Sequence, residues 1–242
     1  MASPTIVLIH GAFADASSWR PVFDALERDG HDHTILAPPN PLRGVESDAS
    51  YTSSVIDQLD APILLVGHSY GGAVITVAGN SPKVAGLVFV NAFAPDKGES
   101  LNQAGGRFPA PPLAQYLRQV PVPGGVDVYI DPAGFHDAFA ADLPADVTAF
   151  MAASQRPISG AAFDEPLASA AWKEKPSWGV LGTADGAINP DLHRFDYDRA
   201  GAKVTDVEGA SHVVMLSQPD VVAGVVCEAA AALASDQVGA GA

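Results

Sequence analysis

Short apolar runs alternate along this chain with stretches of helical periodicity. The runs fall at residues 5–9, 33–36, 63–66, 84–90, 177–181 and 203–207. Between and after them, residues 18–28, a stretch near 51–59, the small apolar segment 72–78 and an Ala/Val-rich segment from about 219 to 234 read as helices. A run such as Ile63-Leu64-Leu65-Val66, apolar at every position, marks a strand buried on both faces. Alternation of such strands with helices predicts an α/β architecture with a mainly parallel sheet and helices on both faces.

The rhythm changes between residues 95 and 176. Pro- and Gly-rich sequence there gives way to alternation around Gly124-Gly125, which predicts a small hairpin, and residues 135–153 read as helices broken by Pro144. Ligands of open α/β sheets bind beyond the carboxyl ends of the strands, so an insertion launched between two core strands is placed to cover a site. The expected division is therefore a core of residues 1–94 and 177–234, an inserted lid over 95–176, and a flexible Gly/Ala-rich tail over 235–242.

One strand-to-helix junction carries specific chemistry. Residues 63–72 run from an apolar strand directly into Gly67-His68-Ser69-Tyr70-Gly71, a G-x-S-x-G pattern. A serine on such a turn is pushed into the open in a strained conformation, and only small flanking residues leave room for it. The following helix points its first amides and positive dipole end at developing negative charge. The pattern alone is weak, and the buried strand before it lends it weight. Ser69 is the candidate nucleophile.

A serine hydroxyl needs a base to take its proton, and the base needs a third group to hold its tautomer. Three histidines follow Ser69. His212, in Gly209-Ala210-Ser211-His212, comes just after a strand and is the strongest candidate. His193 sits in the polar stretch Pro190-Asp191-Leu192-His193-Arg194, which reads as a solvated helix face, and His136 lies in the insertion, within reach of a substrate. Asp185, just after the strand at 177–181, is the favoured acid, because the order Ser, Asp, His is the one followed by hydrolases built on this turn. Asp96 competes with it, and Asp206 is disfavoured by lying inside a strand. At the end of the first strand, His10-Gly11-Ala12-Phe13 forms a turn whose backbone can donate to an oxyanion, so the amides of Ala12 and Tyr70 are the expected oxyanion hole. Phe13, Phe135, His136, Phe139 and Val213 are the expected substrate-binding residues, with Phe108, Tyr116 and Phe150 as further apolar walls.

Composition narrows the partners. The 242 residues carry 13 Lys and Arg against 28 Asp and Glu, a formal charge of −15, which leaves little with which to build a basic patch for nucleic acid or anionic membranes. The single cysteine, Cys227, excludes an internal disulfide and lies in a run that reads as a buried helix face. No His/Cys cluster has the spacing of a zinc site. A strand begins almost at the N-terminus without a secretory signal pattern, and no apolar run approaches a membrane span, so a cytoplasmic protein is expected. The sequence does not fix the oligomeric state.

The segments Val7-Leu8-Ile9-His10-Gly11-Ala12 with Trp19 downstream, Gly67 through Gly72, Asp185 with Ile188 and Pro190, and Gly209 through Leu216 with Pro219 together resemble the α/β-hydrolase superfamily over nearly the whole chain. They are most similar to small bacterial esterases and to the plant methylesterase and hydroxynitrile lyase group. The resemblance implies about eight strands, a lid after the sixth, and a triad of Ser69, Asp185 and His212 that needs no cofactor. Hydroxynitrile lyases of that group carry Thr after the first-strand His and Lys after the catalytic His, where this chain has Gly11 and Val213. The expected activity is hydrolysis of small to medium neutral esters or lactones by a serine esterase. Perhydrolase or haloperoxidase-like chemistry at the same triad, and a non-catalytic ligand receptor on the same fold, remain alternatives.

Overall fold

The computed structural model describes residues 3–28 and 33–239. Nine strands occur among them: β1 (Thr5–Ile9), β2 (Ile35–Leu36), β3 (Ile63–His68), β4 (Val84–Val90), β5 (Leu117–Val122), β6 (Gly125–Ile130), β7 (Ile158–Ser159), β8 (Ser177–Gly182) and β9 (Lys203–Val207). The α-helices are α1 (Arg20–Arg28), α2 (Val45–Ile56), α3 (Tyr70–Ala78), α4 (Leu101–Gly105), α5 (Pro132–Phe139), α6 (Ala145–Ser154), α7 (Pro190–Arg199), α8 (Val214–Ser217) and α9 (Pro219–Gly239).

Six strands form one wholly parallel sheet in the order β2-β1-β3-β4-β8-β9. Every residue of β3 is buried, as its unbroken apolar run predicts. Helix α9 packs on β3, β4 and β8 beside α1, while α3 packs on β1 and β3 beside α2. The chain runs from β1 outward to β2, then returns to place β3 on the other side of β1. This reversal opens a crevice at the carboxyl ends of β1 and β3, the position where ligands bind in open α/β sheets.

The sheet has six strands rather than about eight. The six apolar core runs in the sequence account for all of them; the larger number came from the family resemblance. The excursion likewise leaves after β4, the fourth strand, and returns at β8. Within it, β5, β6 and β7 form a separate antiparallel sheet. Its hairpin turns at Pro123-Gly124, where proline presets a negative φ and Gly124 takes φ +88°. Helices α5 and α6 flank Pro144, which is the N-cap of α6.

Some boundaries differ from expectation. Helix α2 begins at Val45 rather than near residue 51, because its first turns carry Glu46 and Asp48, and the burial of Asp48 under polar partners hides them from a hydropathy reading. The tail expected from Ser235 onward continues α9 to Gly239, and residues 240–242 lie outside the described residues. Cys227 is half-buried on α9 rather than fully buried. No described helix is long and apolar enough to cross a membrane.

Candidate active site

The loops following β1, β3, β4, β8 and β9 converge at the carboxyl edge of the sheet. Ser69 follows β3 with φ 53° and ψ −121°, a region that a residue with a Cβ occupies only under strain. The turn closes because its neighbours lack side chains. A Cβ on Gly71 would lie 2.4 Å from the Ile9 carbonyl oxygen, and one on Gly11 would lie 2.7 Å from the Ser69 Cβ. Ser69 keeps 8% of its surface exposed amid a fully buried strand end. Its hydroxyl makes no hydrogen bond among the described residues.

Asp185 and His212 meet behind it. Nδ1–H of His212 donates to Asp185 Oδ2 at 2.8 Å, which leaves Nε2 of His212 as the acceptor nitrogen. The other carboxylate oxygen, Oδ1, accepts the amides of Ala187 at 2.8 Å and Ile188 at 3.0 Å. Burial works against ionisation of Asp185, but the imidazoles of His212 and His193 outweigh it and hold the carboxyl far below the ordinary carboxylate range. The competing acids lie elsewhere: Asp96 pairs with Lys173 and Asp206 with Arg194.

Three side chains, His68, Asn91 and Asp142, hold the main chain at Ser211 and His212. The His212 carbonyl accepts Nε2–H of His68 at 3.0 Å and the Asn91 amide at 3.1 Å, while Asn91 Oδ1 accepts the Gly182 amide at 2.6 Å. Asn91 thus ties the ends of β4 and β8 to the histidine loop. Burial, and His212 beside it, keep His68 neutral. From the excursion, Asp142 accepts both the amide and the hydroxyl of Ser211, so the residue before His212 is bolted to the segment between α5 and α6. Neither Asn91 nor Asp142 stood out in the sequence, because a buried staple has no signature beyond an ordinary polar residue after a strand or helix.

Ala12 and Tyr70 flank the elbow, and neither amide donates a hydrogen bond among the described residues. The next amide, that of Phe13, is already engaged with the Arg156 carbonyl at 3.0 Å. The Tyr70 side chain is fixed by donation to buried Asp48 at 2.8 Å. His10 braces the other half of this loop: Nδ1–H donates to the Gly11 carbonyl at 2.8 Å and Nε2 accepts the Asn40 amide at 2.9 Å. Accepting that amide requires an unprotonated Nε2, and burial lowers the pKa of His10 from 6.5 to about 4. Between these values the unfolded chain binds a proton that the folded chain does not, so stability contributed by His10 is present above pH 6.5 and lost as pH falls toward 4. The loss by pH 4.5 is on the order of 2–3 kcal/mol. Asp196, pushed up to about 6 by burial, titrates in the opposite sense over part of the same window. Urea unfolding of wild type and His10→Gln at pH 7 and pH 4.5 separates the two: the Asp196 contribution is common to both, and the wild type is expected to lose more stability on acidification.

The expected substrate-binding residues divide. The Phe139 ring lies 5.0 Å from that of His212 and so flanks the histidine, with Phe13 at 6.1 Å and Phe135 at 5.0 Å packed against Phe139. His136 turns away to Thr148 on α6, and Val213 is buried beside His212. None of these five, nor Ser69, Asp185 or His212, lines the larger of the two described cavities. That cavity, about 640 Å³, is walled by Phe93, Phe108, Leu113, Leu117, Val128, Phe163 and Ile188, with Asn102, Gln119, Asn189 and Asp164 as polar members. It adjoins the elbow through Phe93, whose amide donates to the Ser69 carbonyl at 3.2 Å. Phe150 is 73% exposed and walls nothing, and the Tyr116 ring packs under Gly134.

A profile of the alpha/beta hydrolase family matches residues 6–225. The chain belongs to that family. This alpha/beta hydrolase is 26% identical to alpha-hydroxynitrile lyase of Arabidopsis thaliana, over 88% of its own length and 92% of the relative's. It is equally identical to salicylic acid-binding protein 2 of Nicotiana tabacum, over 93% and 96%. Among solved structures, polyneuridine aldehyde esterase superposes with a TM-score of 0.79 at 21% identity, covering 94% of this chain and 99% of that one. A pyrethroid hydrolase from Sphingobium faniae JZ-2 gives 0.78 at 20%, covering 97% and 100%. At such identities the structural likenesses establish the fold.

Proposed function

We propose that this alpha/beta hydrolase is a serine esterase that cleaves small to medium neutral carboxylic esters or lactones through an acyl-enzyme. The observation that carries this reading is the buried Asp185–His212 pair at 2.8 Å, on the same sheet edge as a strained serine flanked by two unengaged amides. Relatives named as esterases support it, among them a carbendazim hydrolyzing esterase of Nocardioides and an esterase of rice.

In this mechanism Ser69 Oγ attacks the ester carbonyl carbon while His212 Nε2 takes its proton. The amides of Ala12 and Tyr70 receive the oxyanion, and each such donor contributes roughly 3 kcal/mol in the transition state. The tetrahedral centre collapses, His212 returns the proton to the departing alkoxide, and water activated by the same nitrogen releases the acid. Asp185 holds the imidazole in the required tautomer and stabilises the imidazolium. In an unliganded site the serine–histidine hydrogen bond is often unmade and forms with substrate, in keeping with the free hydroxyl of Ser69. Residues 95–176 act as the lid, with the cavity beneath it taking the apolar part of the substrate.

Lyase chemistry is disfavoured by Val213, an apolar buried side chain that offers neither charge nor donor to a departing cyanide. The cavity walls include Asp164 and no Lys, Arg or His, so an anionic substrate meets no countercharge there. A p-nitrophenyl ester series tests the reading: neutral acyl groups are expected to be hydrolysed with a clear optimum in chain length, and a hemi-ester bearing a free carboxylate at least about tenfold more slowly in kcat/KM. A ligand-induced rise in Tm without turnover of any ester points instead to a receptor. Peracid formation outcompeting hydrolysis when peroxide is added points to a perhydrolase.

A further inference from the structure

His193 is the second imidazole on the acid of this site. It belongs to α7, whose inner face carries Leu192, His193, Asp196 and Tyr197, all buried. The helix approaches β8 closely because Gly179 leaves room: a Cβ there would lie 2.6 Å from the Tyr197 ring. Three contacts then lock α7 to the backbone after β4. Tyr197 Oη accepts the Ala92 amide at 2.8 Å, Asp196 Oδ2 accepts the Ala94 amide at 3.0 Å, and Arg199 donates to the Ala94 carbonyl at 2.9 Å. So anchored, the helix delivers His193, itself fully buried, to Asp185.

The contact is specific in its atoms. His193 Nε2 lies 3.0 Å from Asp185 Oδ2, the same oxygen that His212 Nδ1 reaches at 2.8 Å, and His193 Nδ1 faces the Ala92 carbonyl at 3.3 Å. Both neighbours only accept, and the carboxylate at 3.0 Å is the closer and the charged one, so the proton of a neutral His193 sits on Nε2 and is donated there. All four acceptor sites of the Asp185 carboxylate are thereby used, two by backbone amides on Oδ1 and two by imidazoles on Oδ2.

We infer that His193 is a positioning residue that competes with His212 for Asp185 Oδ2 and so restrains the basicity of His212, keeping it able to return its proton to the leaving group. The inference rests on the reading of Asp185 and His212 as acid and base. Negative charge shared between two donors is less available to either, so withdrawing one strengthens the bond to the other and favours the His212 imidazolium. The other titratable or charged groups facing this cluster are His68 beside His212, Asp196 and Tyr197 on α7, and Arg199 with Glu99 behind Asp196. Asp196 and Tyr197 both feel His193 directly, so the variant that keeps a donor to Oδ2, His193→Gln, is what ties a change in the pH profile to the Oδ2 contact.

The test is the pH dependence of kcat/KM for a neutral p-nitrophenyl ester in wild type, His193→Phe and His193→Gln, with Tm recorded for each. In His193→Phe the acid limb is expected to move to higher pH by about 0.5–1 unit, and in His193→Gln, whose amide can still donate to Oδ2, to return toward the wild-type position. Identical acid limbs in all three, with only Tm lowered, would overturn the inference and leave His193 a packing residue. Should His193→Phe fail to fold, ¹⁵N-histidine NMR of the wild type decides: a protonated Nε2 on His193 at pH 8 is expected, and an unprotonated one overturns the proposal. If Ser69→Ala retains full ester turnover, the esterase reading fails, an outcome distinct from failure of the His193 claim.

Discussion

Ser69→Ala is expected to lower kcat for a neutral ester by about 10⁵-fold or more, with KM changed little and Tm nearly unchanged. The size follows from the absence of any substitute. Among the described residues the neighbouring hydroxyls are engaged elsewhere, Tyr70 with Asp48 and Ser211 with Asp142, and a water in place of Ser69 gains only the oxyanion donors and binding, which leave a residual of roughly 10³–10⁴ over the uncatalysed rate. The small effect on stability follows from the backbone. Both Ser and Ala carry the Cβ that strains φ 53°, and the Ser69 hydroxyl donates no bond that the substitution would break. Steady-state kinetics beside thermal unfolding separates the two effects.

Asp185→Asn is the second large effect, about 10⁴-fold in kcat. The reason lies in how the carboxylate is held. The amides of Ala187 and Ile188 both donate to Oδ1, so the carbonyl oxygen of an asparagine stays there and its NH₂ takes the place of Oδ2. That NH₂ then faces Nδ1 of His212 and Nε2 of His193, which in wild type both donate. His212 is driven to the tautomer with its proton on Nε2, where it cannot accept from Ser69. Rescue of activity at high pH, or a loss of less than about tenfold, would show that Asp185 is not the group that sets the tautomer.

The core of the fold was legible because its chemistry is repetitive. The inner sheet strands are apolar runs, and even the edge strand β9, with Lys203, Thr205 and Asp206, keeps Val204 and Val207; the loops after β3, β8 and β9 follow directly on these strands, so Ser69, Asp185 and His212 could be placed at strand ends from sequence. The residues that hold them could not. His193 reads as part of a solvated helix because Asp191, Arg194 and Asp198 surround it, yet α7 turns Leu192, His193, Asp196 and Tyr197 inward together. A helix whose buried face is polar gives hydropathy nothing to detect. The cavity walls were legible only in part, Phe108 among them, for a different reason. Aromatic content identified the insertion as apolar, but which rings face the cavity depends on how β5, β6 and α4 fold back on the sheet, which sets Phe108 and Phe163 inward and leaves Phe150 exposed. That packing is a tertiary property with no local signal.

The most direct measurement of the central claim is stoichiometric labelling with an alkyl fluorophosphonate, followed by intact and peptide mass spectrometry. The account predicts one label per chain, on the peptide containing Ser69, with ester turnover lost in proportion to labelling and no label on Ser69→Ala. Label on another residue, or undiminished turnover in the fully labelled protein, would contradict it.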